Sequence, residues 1–467
     1  MGLGRHAVRT ARMLGLLAVS AAVLLLPASA LAHHNANAKG HHHRGHHQDS
    51  HHGKNHDGHH GDSAVGAVYT TTNDPSGNGV IVFTRHQDGT LTQGPTVPTG
   101  GTGIAAQPPF GFPIVDSSGS MALAKNGRLL FVVNDGDNTI SSLRTTGQGL
   151  KLVDRVSSGG VLPVSLTTYG HLLYVVNEQS STIAGYYFSD SGHLSSIPGS
   201  SQLISPLFPS GPAPPNAGGV AAQISFSPDG HQLVVTERGV PSTVGAIDTF
   251  AVNPNGSLTL EQADRSASVD ANPFGFAFTS SGTLLVSNVG KVIGIPQNPV
   301  FDYPAGTLPI PQILDAAEFT GSASSYSLSG NGTLTPVSTT VLSGGRGACW
   351  LVLSKDGKFA FVTNTLSTAP ILGPPNGIGT GAGGLTTYRV GSGGTLTRIG
   401  QTDLGGGSPT DEAISSDGKF LYVADPNVPP PPATSHIDVF AINGDGSLTA
   451  ITQGATLPTL ISGLAAN

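Results

Sequence analysis

Glu237-Arg238, Arg346 and Asp411-Glu412 are the residue types that acid–base chemistry on a polar substrate requires. A carboxylate can take a proton from water, and an arginine beside it can hold an oxygen as it becomes anionic. They stand out because only 10% of the chain is charged, against roughly 25% in an average soluble domain. A second set with ligand chemistry is HHNANAKGHHHRGHHQDSHHGKNHDGHH, residues 33–60, which holds 12 of the 18 histidines. Neutral imidazoles at that density chelate Zn2+, Ni2+ or Cu2+. Within the tract, His41, His42, His43, His46, His47, His51 and His52 are the candidate metal ligands. The tract has no apolar periodicity and reads as a disordered arm, for which the plain alternative is a solvated spacer. No cofactor is required for the acid–base set.

The elements that must position these residues are repeats. MALAKNGRLLFVVN (121–134), SLTTYGHLLYVVN (165–177), ISFSPDGHQLVVTE (224–237), FAFTSSGTLLVSN (276–288), LVLSKDGKFAFVTN (351–364) and AISSDGKFLYVADP (413–426) share one design: apolar strand, glycine turn, apolar strand, polar end. A second phrase follows each, as in AIDTFAVNPNGSLTL (246–260) and HIDVFAINGDGSLTAI (436–451), where Asn-Gly or Asp-Gly supplies a tight hairpin turn. Two hairpins make four strands, and four-stranded repeats predict a β-propeller. The second phrase occurs seven times and the complete first phrase six times. The first blade, opening at AVYTTTN (67–73), lacks an inner strand, and the terminal ISGLAAN (461–467) matches one. The expected fold is therefore all-β: a seven-bladed propeller closed by pairing of its N- and C-terminal strands, spanning 65–467. A β-sandwich or a row of small β domains would not need that exchange.

With strands lettered a to d from the axis outward, the a–b and c–d turns are short and glycine-bearing. Nearly every long insertion falls in the other connections: 101–119 and 201–219 in d–a, and 289–321, 365–383 and 425–435 in b–c. Elaborated loops on a rigid scaffold are where binding concentrates, so the site is expected at the channel mouth on that face. The b-strand ends place Asn73, Asn134, Asn177, Glu237-Arg238, Asn288, Asn364 and Asp425 there, and the a-strand starts place Arg346, Asp411 and Glu412. The repeated Asn reads as architecture, a short amide binding local backbone in every blade. Glu237, Arg238, Arg346, Asp411 and Glu412 break that pattern. PTGGTG (98–103), SSGG (157–160), SGGRG (343–347) and LGGGSP (404–409) read as close backbone passage between blades, since none opens a helix that would hold a phosphate.

Residues 1–32 carry Arg5, Arg9 and Arg12, an apolar run from Leu14 to Leu26, and Ala30-Leu31-Ala32. This is the pattern of a secretory signal peptide cleaved after Ala32, and it leaves 33–64 as the arm. Without it the balance is 18 basic against 28 acidic residues, which argues against nucleic-acid binding. No second apolar run is long enough to span a membrane. One cysteine, Cys349, excludes an internal disulfide. The expectation is a secreted monomer.

TTNDPSGNGVIVFTR (71–85), VVTERG (234–239), PFGFAF (273–278), GACWLVLSKDGKFAFVTN (347–364), PTDEAISSDGKFLYVAD (409–425) and the terminal GLAAN together resemble the seven-bladed propeller lactonase family. That family includes bacterial 6-phosphogluconolactonases and fungal 3-carboxy-cis,cis-muconate lactonising enzymes. The resemblance implies metal-independent opening or closing of a lactone or sugar-acid lactone ring, with Glu237 as base, Arg238 and Arg346 as anion partners, and Asp411 or Glu412 as second carboxylates. The cyclising members place a histidine beside arginines and a glutamate. Here His171 and His231 fall at the trimmed-face turns, and only His436 lies near the elaborated face. The alternative is a non-catalytic exported propeller that holds a protein or glycan, with the histidine arm as tether.

Overall fold

The structure, a computed structural model, describes residues 63–104, 117–146, 149–204, 221–238, 245–264, 272–290, 320–365, 383–404, 407–427, 434–453, 457 and 461–467. All of them lie within one unit, Gly58–Asn467. The expected signal peptide and the arm histidines lie outside the described residues.

Seven antiparallel sheets account for the described strands. In order from the axis outward, blade 1 is Ser462–Ala466, Ala64–Thr71, Gly79–His86 and Leu91–Pro98. Blade 2 is Met121–Ala124, Leu129–Asn134, Thr139–Thr146 and Gly149–Ser157. Blade 3 is Pro163–Tyr169, Leu172–Asn177, Thr182–Phe188 and an outer edge split into Leu194–Ser196 and Gln202–Leu203. Blade 4 is Ala221–Phe226, Gln232–Glu237, Ala246–Val252 and Leu258–Asp264; blade 5 is Pro273–Phe278, Thr283–Asn288, Thr320–Leu328 and Leu334–Arg346. Blade 6 is Ala348–Leu353, Phe359–Asn364, Gly384–Val390 and Leu396–Asp403, and blade 7 is Asp411–Ile414, Phe420–Asn427, Thr434–Ile442 and Leu448–Gln453.

Several b strands are apolar up to a polar end, as in LLFVVN and FAFVTN, and every residue of these two is buried. A strand covered on both faces by neighbouring blades has no solvent side, so it loses the alternation expected of a half-exposed sheet. The d strands show the opposite: Leu91–Pro98 is largely exposed, and Lys151, Asp154 and Arg155 decorate the outer edge of blade 2, where charge discourages further strand pairing. Among the described residues, seven apolar cores each join one pair of adjacent blades. The core joining blades 7 and 1 brings Phe420 and Tyr422 against Val68, Phe83 and Leu464, so the ring is closed by packing as well as by strand pairing.

The terminal strand is the missing inner strand. Val68 pairs with Ala466 and Tyr69 with Ala465, and Asn467 takes the Ala67 amide on its side-chain oxygen at 2.6 Å while donating its own amide to the Ala67 carbonyl at 2.9 Å. The Arg85 guanidinium holds the Asn467 carbonyl at 2.9 Å and Asp417 of blade 7 at 3.3 Å. The trimmed face is built from one turn reused. Ser227, Ser354 and Ser415 each donate to the Asp two residues on, at 2.6, 2.7 and 2.6 Å. The following glycine takes φ of 73°, 71° and 77°, a region a side chain would disfavour.

Candidate active site

The repeated b-strand Asn is structural, as its recurrence implies. Asn134 donates to Thr139 and Ser141 hydroxyls at 3.0 and 2.8 Å, and Asn288 to those of Ser322 and Ser324 at 3.3 and 3.1 Å. Asn364 reaches Thr386 at 2.8 Å. The amide therefore ties the end of strand b to the start of strand c. The glycine-rich connections pass directly over these amides. A Cβ at Gly101, Gly160 or Gly345 would overlap the side chain of Asn134, Asn177 or Asn364, and one at Gly407 would overlap the Asp425 carboxylate. Close backbone passage, not anion binding, explains those glycines.

At the a-strand starts a plug of backbone and side chains bridges blades that are not neighbours. Trp350 of blade 6 donates its indole N–H to the Ser117 carbonyl, at the entry to blade 2, at 2.9 Å. Blades 2 and 6 are not neighbours, so this bond can be made only across the ring. Ser118 donates its amide to Ala222 of blade 4 at 2.9 Å, and Ser117 donates its hydroxyl to Val164 of blade 3 at 2.5 Å. Ala222, Phe274, Val289, Cys349 and Trp350 form a separate buried apolar cluster, with Phe274 edge-on to Trp350 at 5.0 Å between ring centres.

Of the charged residues singled out by sequence, Arg238 touches this plug. Arg238 is buried, lies over the Phe274 ring at 5.7 Å, and pairs with Glu178 of blade 3 at 3.6 Å. Glu237, one residue earlier, is fully shielded from solvent at the end of its b strand. Arg346 is half-buried at the end of the blade 5 outer strand, just ahead of Ala348. Asp411 and Glu412 are engaged elsewhere. The Asp411 carboxylate accepts the Glu412 amide at 2.8 Å and the Leu464 amide of the closing strand at 2.9 Å. Burial pushes it up to about 8 against those two bonds. Glu412 is raised well above the usual carboxylate range, by burial first and the adjacent Asp411 second, with the Val352 amide of blade 6 opposing weakly. These two carboxylates sit between inner strands of blades 6, 7 and 1, where Asp411 clamps the closure.

Asp135 and Glu178 are functional candidates that the sequence reading passed over. Each stands one residue beyond the repeated Asn, in VVND and VVNE, the register at which blade 4 places Arg238 and blade 5 places Val289. Two members of that register touch the plug, so all of them lie at the mouth level. Reading one residue further in each copy would have found them. Burial pushes the Asp135 carboxyl up to about 7, opposed by the backbone amides of Asp135 and Gly136 and reinforced by Asp137. Arg238 thus has Glu178 at 3.6 Å and Glu237 next to it in the chain, and Asp135 stands in the equivalent register of blade 2.

The description of the seven-bladed β-propeller lactonases matches residues 75–208 and 318–459, over half of the sequence. The chain belongs to the seven-bladed β-propeller lactonase family. Solved structures similar to this lactonase-family propeller include a candidate 6-phosphogluconolactonase of Bacteroides uniformis, 19% identical with a TM-score of 0.59, covering 86% of this chain and 98% of that one. A second from Bacteroides fragilis is 19% identical with a TM-score of 0.58, over 85% and 97% of the two chains. The periplasmic gluconolactonase of Pseudomonas aeruginosa is 20% identical with a TM-score of 0.57, over 85% and 98%. At these identities the likeness concerns the fold. No curated protein matches the chain by sequence. Among the described residues of this lactonase-family propeller, no helix is long and apolar enough to cross a membrane.

Proposed function

We propose that this chain is an exported lactone hydrolase acting on an aldonolactone, phosphorylated or not, at the rim formed by Glu237, Arg238, Glu178 and Asp135. The observation that carries the reading is the buried Arg238, held by Glu178 at 3.6 Å and backed by the Phe274 ring, beside Glu237 in a member of the lactonase family. Glu237 takes a proton from water, whose oxygen attacks the lactone carbonyl carbon. Arg238 holds the carbonyl oxygen as it becomes anionic, in a setting where one such donor contributes about 3 kcal/mol. Collapse breaks the ring C–O bond, and the ring oxygen takes a proton from a carboxylic acid. Asp135, pushed up to about 7, still carries that proton near neutrality. Arg346 is the second cation for the carboxylate or phosphate of the substrate. The named functions of the similar structures from Bacteroides and Pseudomonas support this substrate class. The basic and apolar segment 1–32 supports export, and cell fractionation tests it.

Hydrolysis of glucono- and 6-phosphogluconolactones by the purified protein, measured above the spontaneous rate, is the test. Glu237→Gln is expected to lower kcat/KM by roughly 10²-fold or more, the usual share of a general base, with the fold retained by circular dichroism. Undiminished turnover by that variant would reject the assignment of the base. A wild-type protein that hydrolyses no lactone would reject the function.

A further inference from the structure

Blade 7 departs from blades 2 and 5 at the b–c junction, as blade 4 does in another way with Glu237, Ala246 and Asp248 in that register. In blade 2 the corresponding set is Asn134, Thr139 and Ser141, an amide satisfied by two hydroxyls. In blade 5 it is Asn288, Ser322 and Ser324. In blade 7 the residues in the same register are Asp425, His436 and Asp438: Asp425 faces His436 across the strand pair as Asn134 faces Thr139. Three titratable side chains therefore replace three neutral ones at a place where neutral ones suffice for the fold. All three are buried.

Their donor atoms converge. The His436 Nε2 lies 3.6 Å from Asp425 Oδ2 and 3.5 Å from Asp438 Oδ1, and the three atoms fall within 4.8 Å of one another. Ligands held ~2.0–2.2 Å from one cation stand roughly 3.0–3.5 Å apart, so small side-chain adjustments bring all three into range. A second observation concerns how Asp425 is held. Asp425 is 0% exposed, and its Oδ1 accepts the Ser408 amide at 2.6 Å. Its Oδ2 is buried, with the His436 imidazole at 3.6 Å and the Asp438 carboxyl as its polar neighbours. Gly407 alone leaves that oxygen room, since any side chain there would overlap it. A buried carboxylate is costly unless a cation or proton meets it.

We infer that Asp425, His436 and Asp438 form a binding site for one divalent first-row transition cation, with Mn2+ and Zn2+ as the fitting ions. Two carboxylates neutralise the double charge. The imidazole favours a transition metal over Mg2+ or Ca2+, which take all-oxygen shells. The site lies in blade 7, whereas the residues of the chemistry proposed above lie in blades 2 to 5, and it does not depend on that reading.

The test uses the full chain, stripped with EDTA, and the triple variant Asp425→Asn, His436→Thr, Asp438→Ser, which installs the set that blade 2 already uses. Mn2+ is the first probe because it binds imidazole most weakly in the series, so the histidines of 33–60 take up little of it; Zn2+ is the second. Equilibrium dialysis is expected to give one more equivalent bound per wild-type chain than per variant, with a cation-dependent rise in unfolding temperature in the wild type alone. Equal uptake of both ions by the wild type and the folded variant overturns the assignment. Should the triple variant fail to fold, His436→Gln, which keeps both carboxylates, is expected to weaken the extra equivalent at least tenfold. Unchanged affinity in that variant overturns the assignment equally.

Discussion

Asp411 makes ring closure dependent on pH. Its carboxyl is wholly buried between blade 7 and the terminal strand and is pushed up to about 8 by that burial, whereas in the unfolded chain it returns to ~3.9. The native state therefore holds a proton that the unfolded state releases. Stability from this group is complete below about pH 4 and is lost as pH rises through 8. Between pH 5 and pH 8 the linkage relation gives a loss of about 3–4 kcal/mol from Asp411 alone. Glu412, Asp135, Asp425 and Asp438 are shifted in the same direction, so the wild type declines by more than this share and the difference from an Asp411 variant isolates it. The carboxylates shifted downward, such as Asp229, Asp356 and Asp417, lose their contribution only as pH falls through the low carboxylate range, so they leave this window clear.

Asp411→Asn is neutral at every pH but keeps an acceptor for only one of the two amides at 2.8 and 2.9 Å. At pH 5 it should be less stable than wild type by about 1–3 kcal/mol, the cost of an unmet buried donor, and its decline toward pH 8 should be shallower. Urea midpoints at pH 5, 6, 7 and 8, with the slope of each transition checked for constancy, read both effects. A wild-type protein that gains stability from pH 5 to pH 8, or an Asn variant with the same decline, would refute the buried-proton account of the clamp.

Gly345→Ala should destabilise by about 1–3 kcal/mol through overpacking, because the new Cβ meets the Asn364 side chain, while Gly400→Ala, in open space, should leave the urea midpoint unchanged within error. Trp350 is the single tryptophan of the chain and is buried at the axis; its native emission should be blue-shifted and shielded from acrylamide, and a solvent-like spectrum would contradict the filled channel. Trp350→Phe should cost about 1–3 kcal/mol by leaving the Ser117 carbonyl unpaired, measured by the same denaturant titration.

Much of the architecture was legible from local pattern. Hydrophobic runs broken by Asp-Gly and Asn-Gly specify hairpins wherever they occur, because turn geometry is decided by a few adjacent residues. The count of these phrases set the number of blades, and the incomplete first copy required GLAAN to supply its inner strand. The repeated Asn and the glycine-rich connections were likewise readable as architecture, since a feature needed in every blade must recur in every copy. Glu237 and Arg238 stood out for the complementary reason that they break a repeat.

What the pattern could not decide was which copies meet across the ring. Trp350 and Ser117 are 233 residues apart, and nothing in either segment names the other. Their bond depends on how seven blades rotate their inner strands toward a common axis. The same geometry separated Asp411 from the rim: its sequence position at an a-strand start is equivalent to that of plug residues, but its side chain turns sideways to Leu464. It also brought Glu178 to Arg238, and gathered Asp425, His436 and Asp438 from two strands into one cluster. Strand register, written in the chain, determines which face a residue serves; the direction a side chain takes between blades is set by packing against neighbours far away in sequence, and only the closed ring supplies those neighbours.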